Sequence, residues 1–126
     1  MRTILLAAAF AASVSATSAL AADPAMTAQT TKGATLVDAK SMTLYTFDKD
    51  TAGKSACNGP CATNWPPLAA PANATAMGSY AVVTRDDGSK QWAYKDKPLY
   101  TWAKDTKPGD ITGDGFLNGA WHVAQP

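Results

Sequence analysis

The sequence predicts a small all-β or β-rich domain, in which two related strand-loop-tryptophan repeats form one unit of short antiparallel strands. Residues 44–51 return at 99–106 with six of eight positions identical, which indicates an internal duplication. The chain contains no glutamate, a strong helix former. Short runs of β-favouring residues alternate with Gly, Pro and Asp turn residues, a pattern typical of domains built from hairpins.

The N-terminal segment 1–21 has the three parts of a secretory signal peptide: a basic end at Arg2, an apolar run over 4–12 and a small-residue cleavage site ending at Ala21. The apolar run is shorter than the ~20 residues that a membrane span needs, so we predict no transmembrane segment. No cysteine lies in or just after the segment to accept a lipid anchor. We therefore expect export to the bacterial periplasm or the medium.

Cleavage leaves 105 residues (126 − 21), which is enough for one domain with a modest core. Loss of Arg2 leaves ten basic residues (11 − 1) against ten acidic ones, so the mature chain is neutral. A neutral chain with a single arginine, Arg85, has no basic surface for nucleic acid. The expected partner is therefore an unknown protein or small molecule and not a nucleic acid.

A flexible lead-in is predicted over 22–32, where small polar residues show no periodicity, and a single domain over 33–126. The two repeats span about 33–68 and 80–124. In the first repeat, two β-favouring runs within 36–47 are separated by turn residues and predict a hairpin.

In the second repeat, the runs 80–84 and 91–94 flank an Asp-Gly pair that ends at Gly88, which predicts another hairpin because glycine accepts the positive φ of such turns. Pro98 cannot donate to a strand ladder, so it should start a strand or lie on an edge. The remaining predicted elements are a helical turn over 60–64 and a final strand over 121–123.

The repeated motif places two aromatic side chains on one face of each motif strand, because side chains alternate along a strand. The aspartate that ends each copy is typical of an Asx turn or a cap. As a catalytic carboxylate it would need a partner and a cleft, which the sequence does not show. We predict no catalytic residue and favour a non-enzymatic role. The motif residues are Tyr45, Phe47 and Asp50 in the first copy and Tyr100, Trp102 and Asp105 in the second.

Cys57 and Cys61 form a C-x3-C pair in a turn-rich loop, and an exported chain favours a disulfide between them. A structural staple is the first interpretation, and a thiol-disulfide redox or oxidative-stress role is the alternative. Alignment of the two tryptophans places Gly113 and Leu117 opposite the two cysteines, so only the first repeat is stapled.

Three aspartates, Asp105, Asp110 and Asp114, suggest a metal site as a second alternative. Residues 110–115 resemble the opening of a calcium loop, but the twelfth position is Trp121, where such a loop needs a bidentate glutamate. We expect no cofactor, with calcium as the alternative.

The many large rings offer a further possibility. Most aromatic residues of a small β domain belong to its core. A partly exposed subset would make a stacking platform for a sugar or peptide, because tyrosine and tryptophan often mark binding surfaces. The platform candidates are Trp65, Trp92 and Trp121.

The doubled Tyr-x-[Phe/Trp]-x-x-Asp element resembles the bacterial family described as secreted repeat of unknown function, or predicted lipoprotein with a Y-x-(FWY)-x-x-D motif. The similarity extends over about 33–124 and includes the segments 57–68, 113–115 and 121–123. The resemblance implies an exported β-rich repeat domain without an established biochemical role. We therefore predict an exported, non-enzymatic binding or interaction module.

Overall fold

A computed structural model describes residues 23–126, and the predicted signal peptide lies outside this part of the chain. Its strands form three antiparallel sheets with the orders β1-β2, β3-β7 and β4-β5-β6. The model confirms the predicted β-rich class with short antiparallel strands. The elements in chain order are β1 (Met26–Thr30), β2 (Gly33–Val37), β3 (Tyr45–Phe47), α1 (Pro60–Asn64), β4 (Tyr80–Thr84), β5 (Lys90–Tyr94), β6 (Lys97–Pro98), α2 (Phe116–Gly119) and β7 (Trp121–Val123).

The first strand corrects the prediction of a flexible lead-in over 22–32. Strand β1 pairs with β2 along its whole length, from Met26 opposite Val37 to Thr30 opposite Gly33. Gly33 has a φ of 88°, which lets the chain reverse there. An outer strand is held by backbone hydrogen bonds and needs no regular pattern of apolar side chains. The sequence of β1 therefore lacks the alternation that marks a core strand.

The predicted hairpin of the second repeat is confirmed, and a further strand extends it. Strands β4 and β5 pair across the turn that contains Gly88, and β6 returns along β5. Pro98 lies in β6, at the edge of the three-stranded sheet, where its missing N–H leaves no gap in the ladder. The helical turn at 60–64 and the strand at 121–123 also form as predicted.

The two repeats join directly through their motif tyrosines. The Tyr45 N–H donates to the Tyr100 carbonyl at 2.8 Å, and the Tyr100 N–H donates to the Tyr45 carbonyl at 3.0 Å. Strand β3 also pairs with β7, so that Phe47 lies opposite Trp121. Tyr100 forms an antiparallel β-bridge with Pro67, which corresponds to the pairing of Tyr45 with Val123. Each motif strand therefore pairs with the tryptophan segment of the other repeat.

The motif strands separate two cores, because alternate side chains point to opposite faces of a strand. Leu44 and Leu99 are fully buried on one side, where they pack into the second core with Leu36, Tyr80 and Trp92. The rings on the other side form the aromatic core. The buried members of the aromatic core are Tyr45, Phe47, Cys57, Trp65, Tyr100, Trp102, Trp121 and Val123.

The turn α2 has an unusual backbone that yields a stability prediction. Leu117 has a φ of 57° and a ψ of 55°, which is left-handed, and its side chain is 53 % exposed. A left-handed residue with a Cβ costs roughly 1–2 kcal/mol, and so exposed a side chain offers little packing in return. We expect Leu117→Gly to raise the free energy of unfolding by about 1 kcal/mol, measured by urea denaturation.

Ala120, at the end of the same turn, serves as the control because its φ of −72° is ordinary. Ala120→Gly should lower the free energy of unfolding by about 1–2 kcal/mol, since glycine gains unfolded-state freedom and loses the methyl group that packs against the aromatic core. A loss of stability in the Leu117 variant comparable to that of the Ala120 variant would contradict the prediction.

Candidate functional site

The doubled motif forms two crossed tyrosine-aspartate pairs. The Tyr45 hydroxyl donates to Asp105 Oδ2 at 2.6 Å, and the Tyr100 hydroxyl donates to Asp50 Oδ2 at 2.6 Å. Both tyrosines are fully buried. Each repeat therefore supplies the acceptor for the other repeat's buried hydroxyl, and neither copy satisfies itself.

The second oxygen of each motif carboxylate accepts hydrogen bonds from the loop that follows it, at equivalent positions of the two repeats. Asp105 Oδ1 accepts from the Thr112 N–H at 3.0 Å and the Thr112 hydroxyl at 2.6 Å. Asp50 Oδ1 accepts from the Ala56 N–H at 2.7 Å. Burial raises the pKa of Asp50, while its hydrogen bonds from Tyr100 and Ala56 act in the opposite direction. Each motif aspartate thus fixes the loop that follows it, which is the role that sequence analysis interpreted as an Asx turn. It also accepts a hydrogen bond from the tyrosine of the other repeat.

The buried tyrosines predict a stability loss at alkaline pH. Burial, followed by the hydrogen bond to the opposite aspartate, raises the pKa of Tyr45 and of Tyr100 well above 10.0. The unfolded chain releases these protons near pH 10 and the folded chain keeps them, so the folded state is favoured below pH 10 and loses this advantage above it. Each tyrosine should lower the free energy of unfolding by up to about 1.4 kcal/mol per pH unit there.

The measurement is urea denaturation from pH 8 to pH 11.5, with wild type compared to Tyr45→Phe. The phenylalanine variant should be less stable at pH 8 but should lose stability less steeply above pH 10, since one proton-releasing group is gone. Subtraction of the two profiles cancels the lysines that both proteins share. Parallel profiles would show that Tyr45 ionises equally in the folded and unfolded chains.

Four rings stack along the centre of the aromatic core. The innermost pair, Trp65 and Trp121, has centroids 3.8 Å apart and planes 2° from parallel. Trp102 stacks on Trp65 at 4.0 Å, and Phe47 stacks on Trp121 at 4.2 Å. The arrangement has the two-fold character expected of a duplicated chain, with one tryptophan from each repeat at its centre.

A buried arginine, which sequence analysis treated only as a charge, ties the second repeat to the first. Arg85 Nη1 donates to Ser55 Oγ at 3.0 Å and to Gln91 Oε1 at 2.7 Å, and Nη2 donates to the Cys57 carbonyl. Ser55 Oγ lies 2.5 Å from the Tyr100 hydroxyl. Arg85 is the only arginine of residues 23–126, which was the one available signal, and its partners Ser55 and Cys57 lie too far away along the chain to predict.

The described part of the chain contains an open groove, the Tyr80 groove, a cavity of about 700 Å³ whose lining includes Met26, Leu36, Met77, Tyr80 and Tyr94. The Tyr80 and Tyr94 ring centroids lie 5.1 Å apart. Among the described residues, neither hydroxyl has a protein hydrogen-bond partner. Sequence analysis assigned most aromatic residues to the core and contained no signal for a groove.

A family model described as secreted repeat of unknown function matches the chain twice, over residues 26–69 and 81–125. The chain belongs to this secreted-repeat family. Both matched segments contain a complete motif copy, so the predicted resemblance is confirmed. No curated protein and no solved structure gave a significant match. In the part of the chain that the structure describes, every helix is too short or too polar to cross a membrane.

The predicted disulfide of this secreted-repeat chain is present: Cys57 Sγ and Cys61 Sγ lie 2.02 Å apart. Cys57 is fully buried in the aromatic core, and Cys61 packs against it from the rim. The pair therefore closes the loop of the first repeat onto the stacked rings. Redox exchange by this pair stays a prediction.

The predicted aromatic platform is corrected by the structure. Trp65, Trp92 and Trp121 are only 3 %, 9 % and 1 % exposed. Trp65 and Trp121 stack on each other in the aromatic core, while Trp92 belongs to the second core. Stacking on a sugar or peptide requires an accessible ring face, so these three rings do not form a platform and instead belong to the two cores.

The three aspartates predicted as metal ligands are not brought together. Asp105 accepts from Tyr45 and Thr112, while Asp110 accepts from the N–H groups of Thr106 and Lys107. Asp114 accepts from the Val123 N–H and forms an ion pair with Lys32. Within residues 23–126 no three His, Cys, Asp or Glu side chains cluster as metal ligands do. The calcium-loop resemblance thus reflects loop-closing hydrogen bonds.

Proposed function

We propose that the protein is an exported, non-enzymatic binding module whose ligand site is the Tyr80 groove. The observation that carries the proposal is a cavity of ligand size bordered by two tyrosine hydroxyls that no described protein group engages. Ligand sites generally enclose about 300–1,000 Å³ and combine apolar walls with a few polar groups. Met77 and Leu36 supply apolar wall in this groove.

The contrast between the two pairs of tyrosines supports the same function. The hydroxyls of Tyr45 and Tyr100 are bonded in the crossed pairs, whereas those of Tyr80 and Tyr94 have no hydrogen-bond partner among the described residues. Burial raises the pKa of Tyr80, so its hydroxyl stays a hydrogen-bond donor at neutral pH. Met26, on the rim of the groove, is 48 % exposed, so its apolar side chain is accessible to a ligand.

The experiment is a titration of ¹⁵N-labelled mature protein with 4-phenyl-1-butanol, a neutral probe with an apolar ring and one hydroxyl. Shift changes should concentrate on groove residues and saturate. Tyr94→Ala should weaken binding about fivefold, because it removes a ring and a hydroxyl from the wall.

Phe116→Ala is the matched control, since Phe116 is an exposed aromatic residue outside the groove, next to Trp102. This variant should bind the probe as wild type does. Saturable shifts that map to Phe116 and its neighbours, or shifts that grow linearly without saturation, would overturn the proposed site.

A further inference from the structure

A second depression adjoins the Tyr80 groove. This lysine depression has a volume of about 450 Å³, and its lining includes Asp48, Lys95, Lys97 and His122. The Tyr94 ring borders both cavities. The C-terminal residues also pass from one to the other, with Gln125 in the depression and Pro126 in the groove. A ligand in the groove that extends past Tyr94 would therefore enter the lysine depression.

The depression carries excess positive charge. Its one carboxylate, Asp48, is already engaged, because Asp48 Oδ2 lies 2.7 Å from His122 Nε2. Within the described residues, neither Lys95 nor Lys97 forms an ion pair. Both lysines also line a further depression that contains Asp50 and Asp96, but neither carboxylate forms an ion pair with them. Two ammonium groups are thus available to an anion that reaches this position.

The turn that presents these lysines has a conformation that lysine does not favour. Lys95 and Asp96 have φ values of 49° and 68°, as the two central residues of a tight hairpin turn. Asn-Gly is the usual pair in such turns, because a Cβ in the left-handed region costs roughly 1 kcal/mol. Lys95 Nζ lies 5.2 Å from the Tyr94 ring centroid, at the boundary between the two cavities. Backbone strain of this kind often accompanies a functional position.

We propose that the Tyr80 groove and the lysine depression together bind an amphiphilic anion. Its apolar part lies against Met77 and Tyr80, and its acid group lies beyond Tyr94 between Lys95 and Lys97. The Tyr94 hydroxyl is available to both parts. This inference rests on the proposed function of the groove and adds the chemical class of the ligand, namely an apolar body with one carboxylate or phosphate.

The test compares three probes with the same apolar part: 4-phenylbutyrate, 4-phenylbutyl phosphate and neutral 4-phenyl-1-butanol. Dissociation constants are measured by the same NMR titration at low salt and at 0.5 M NaCl. Wild type should bind the better of the two anions about fivefold more tightly than the alcohol, a preference that high salt should abolish. The order of the two anions distinguishes a carboxylate ligand from a phosphate ligand.

The double variant Lys95→Gln/Lys97→Gln should bind the alcohol as wild type does but should lose the preference for anions. Lys104→Gln/Lys107→Gln removes the same charge from exposed positions outside both cavities and should keep the preference. Thermal unfolding checks that both double variants are folded. Equal affinity of wild type for all three probes in the groove would overturn the anion proposal and leave the binding function standing. Failure of every probe to bind in the groove would overturn both.

Discussion

Gly113→Ala is expected to destabilise the protein by about 3 kcal/mol, because the added methyl group has no room. A Cβ at this position would lie 2.6 Å from Trp65 Cη2 and 3.0 Å from Trp102 Cγ. These rings stack on each other at 4.0 Å, and Trp65 is held on its other face by Trp121, so neither moves without opening the stack. The measurement is the free energy of unfolding by urea denaturation.

Gly88→Ala separates this steric effect from backbone strain. Gly88 has a φ of 87° with open space where a Cβ would lie, whereas Gly113 is outside the left-handed region but surrounded by rings. The Gly88 variant should lose only about 1 kcal/mol and leave the Trp65 ring resonances in place. If the two variants were equally destabilised, or if the Trp65 resonances stayed unchanged in the Gly113 variant, the steric explanation would be wrong.

Asp105→Ala is the second large expected effect, a loss of about 3–4 kcal/mol in the free energy of unfolding. The substitution leaves the buried Tyr45 hydroxyl and two donors of Thr112 without their acceptor. It also releases the crossed contact that joins the two repeats, so cooperative unfolding should occur at lower urea concentration. Urea denaturation followed by tryptophan fluorescence reports both changes.

Asp48→Ala is the control for Asp105→Ala, because Asp48 is an exposed aspartate directly after β3 whose side chain pairs, among the described residues, only with His122 at the surface. Asp48→Ala should lower the free energy of unfolding by less than about 1 kcal/mol, as for exposed ion pairs in general. Tyr45→Phe combined with Asp105→Ala should cost about 1 kcal/mol less than the sum of the single losses. Strict additivity of the two substitutions would contradict the crossed pair.

The crossed pairs give a physical reason for the duplication in this secreted-repeat chain. One motif copy contains a tyrosine whose hydroxyl is buried and an aspartate that cannot reach it. Two copies in antiparallel contact at Tyr45 and Tyr100 exchange acceptors, and both hydroxyls are satisfied. A buried hydroxyl without a partner costs roughly 1–3 kcal/mol, so the paired arrangement is favoured over two independent repeats.

Much of the secondary structure was predictable because its causes are local. The Asp-Gly turn before Ser89 and the edge position of Pro98 follow from the backbone properties of single residues. Strand β1 was missed because an outer strand held by backbone hydrogen bonds carries no side-chain pattern. The Tyr80 groove was missed for a different reason, since it arises where β1, β4 and the C-terminal residues meet.

The sequence by itself determined the repeat, the β-rich class, the disulfide loop and the family, because each depends on residues near one another in the chain or on the motif itself. Only the tertiary structure decided which tyrosine hydroxyls meet a protein acceptor. Tyr45 meets Asp105 across 60 positions, and Tyr100 meets Asp50 across 50. The repeated motif marks Tyr45 and Tyr100 in the sequence, but no local pattern shows that the acceptor of each lies in the opposite repeat. Their roles differ from those of Tyr80 and Tyr94 because long-range pairing brings an acceptor to one pair of hydroxyls and leaves the other pair open to a ligand.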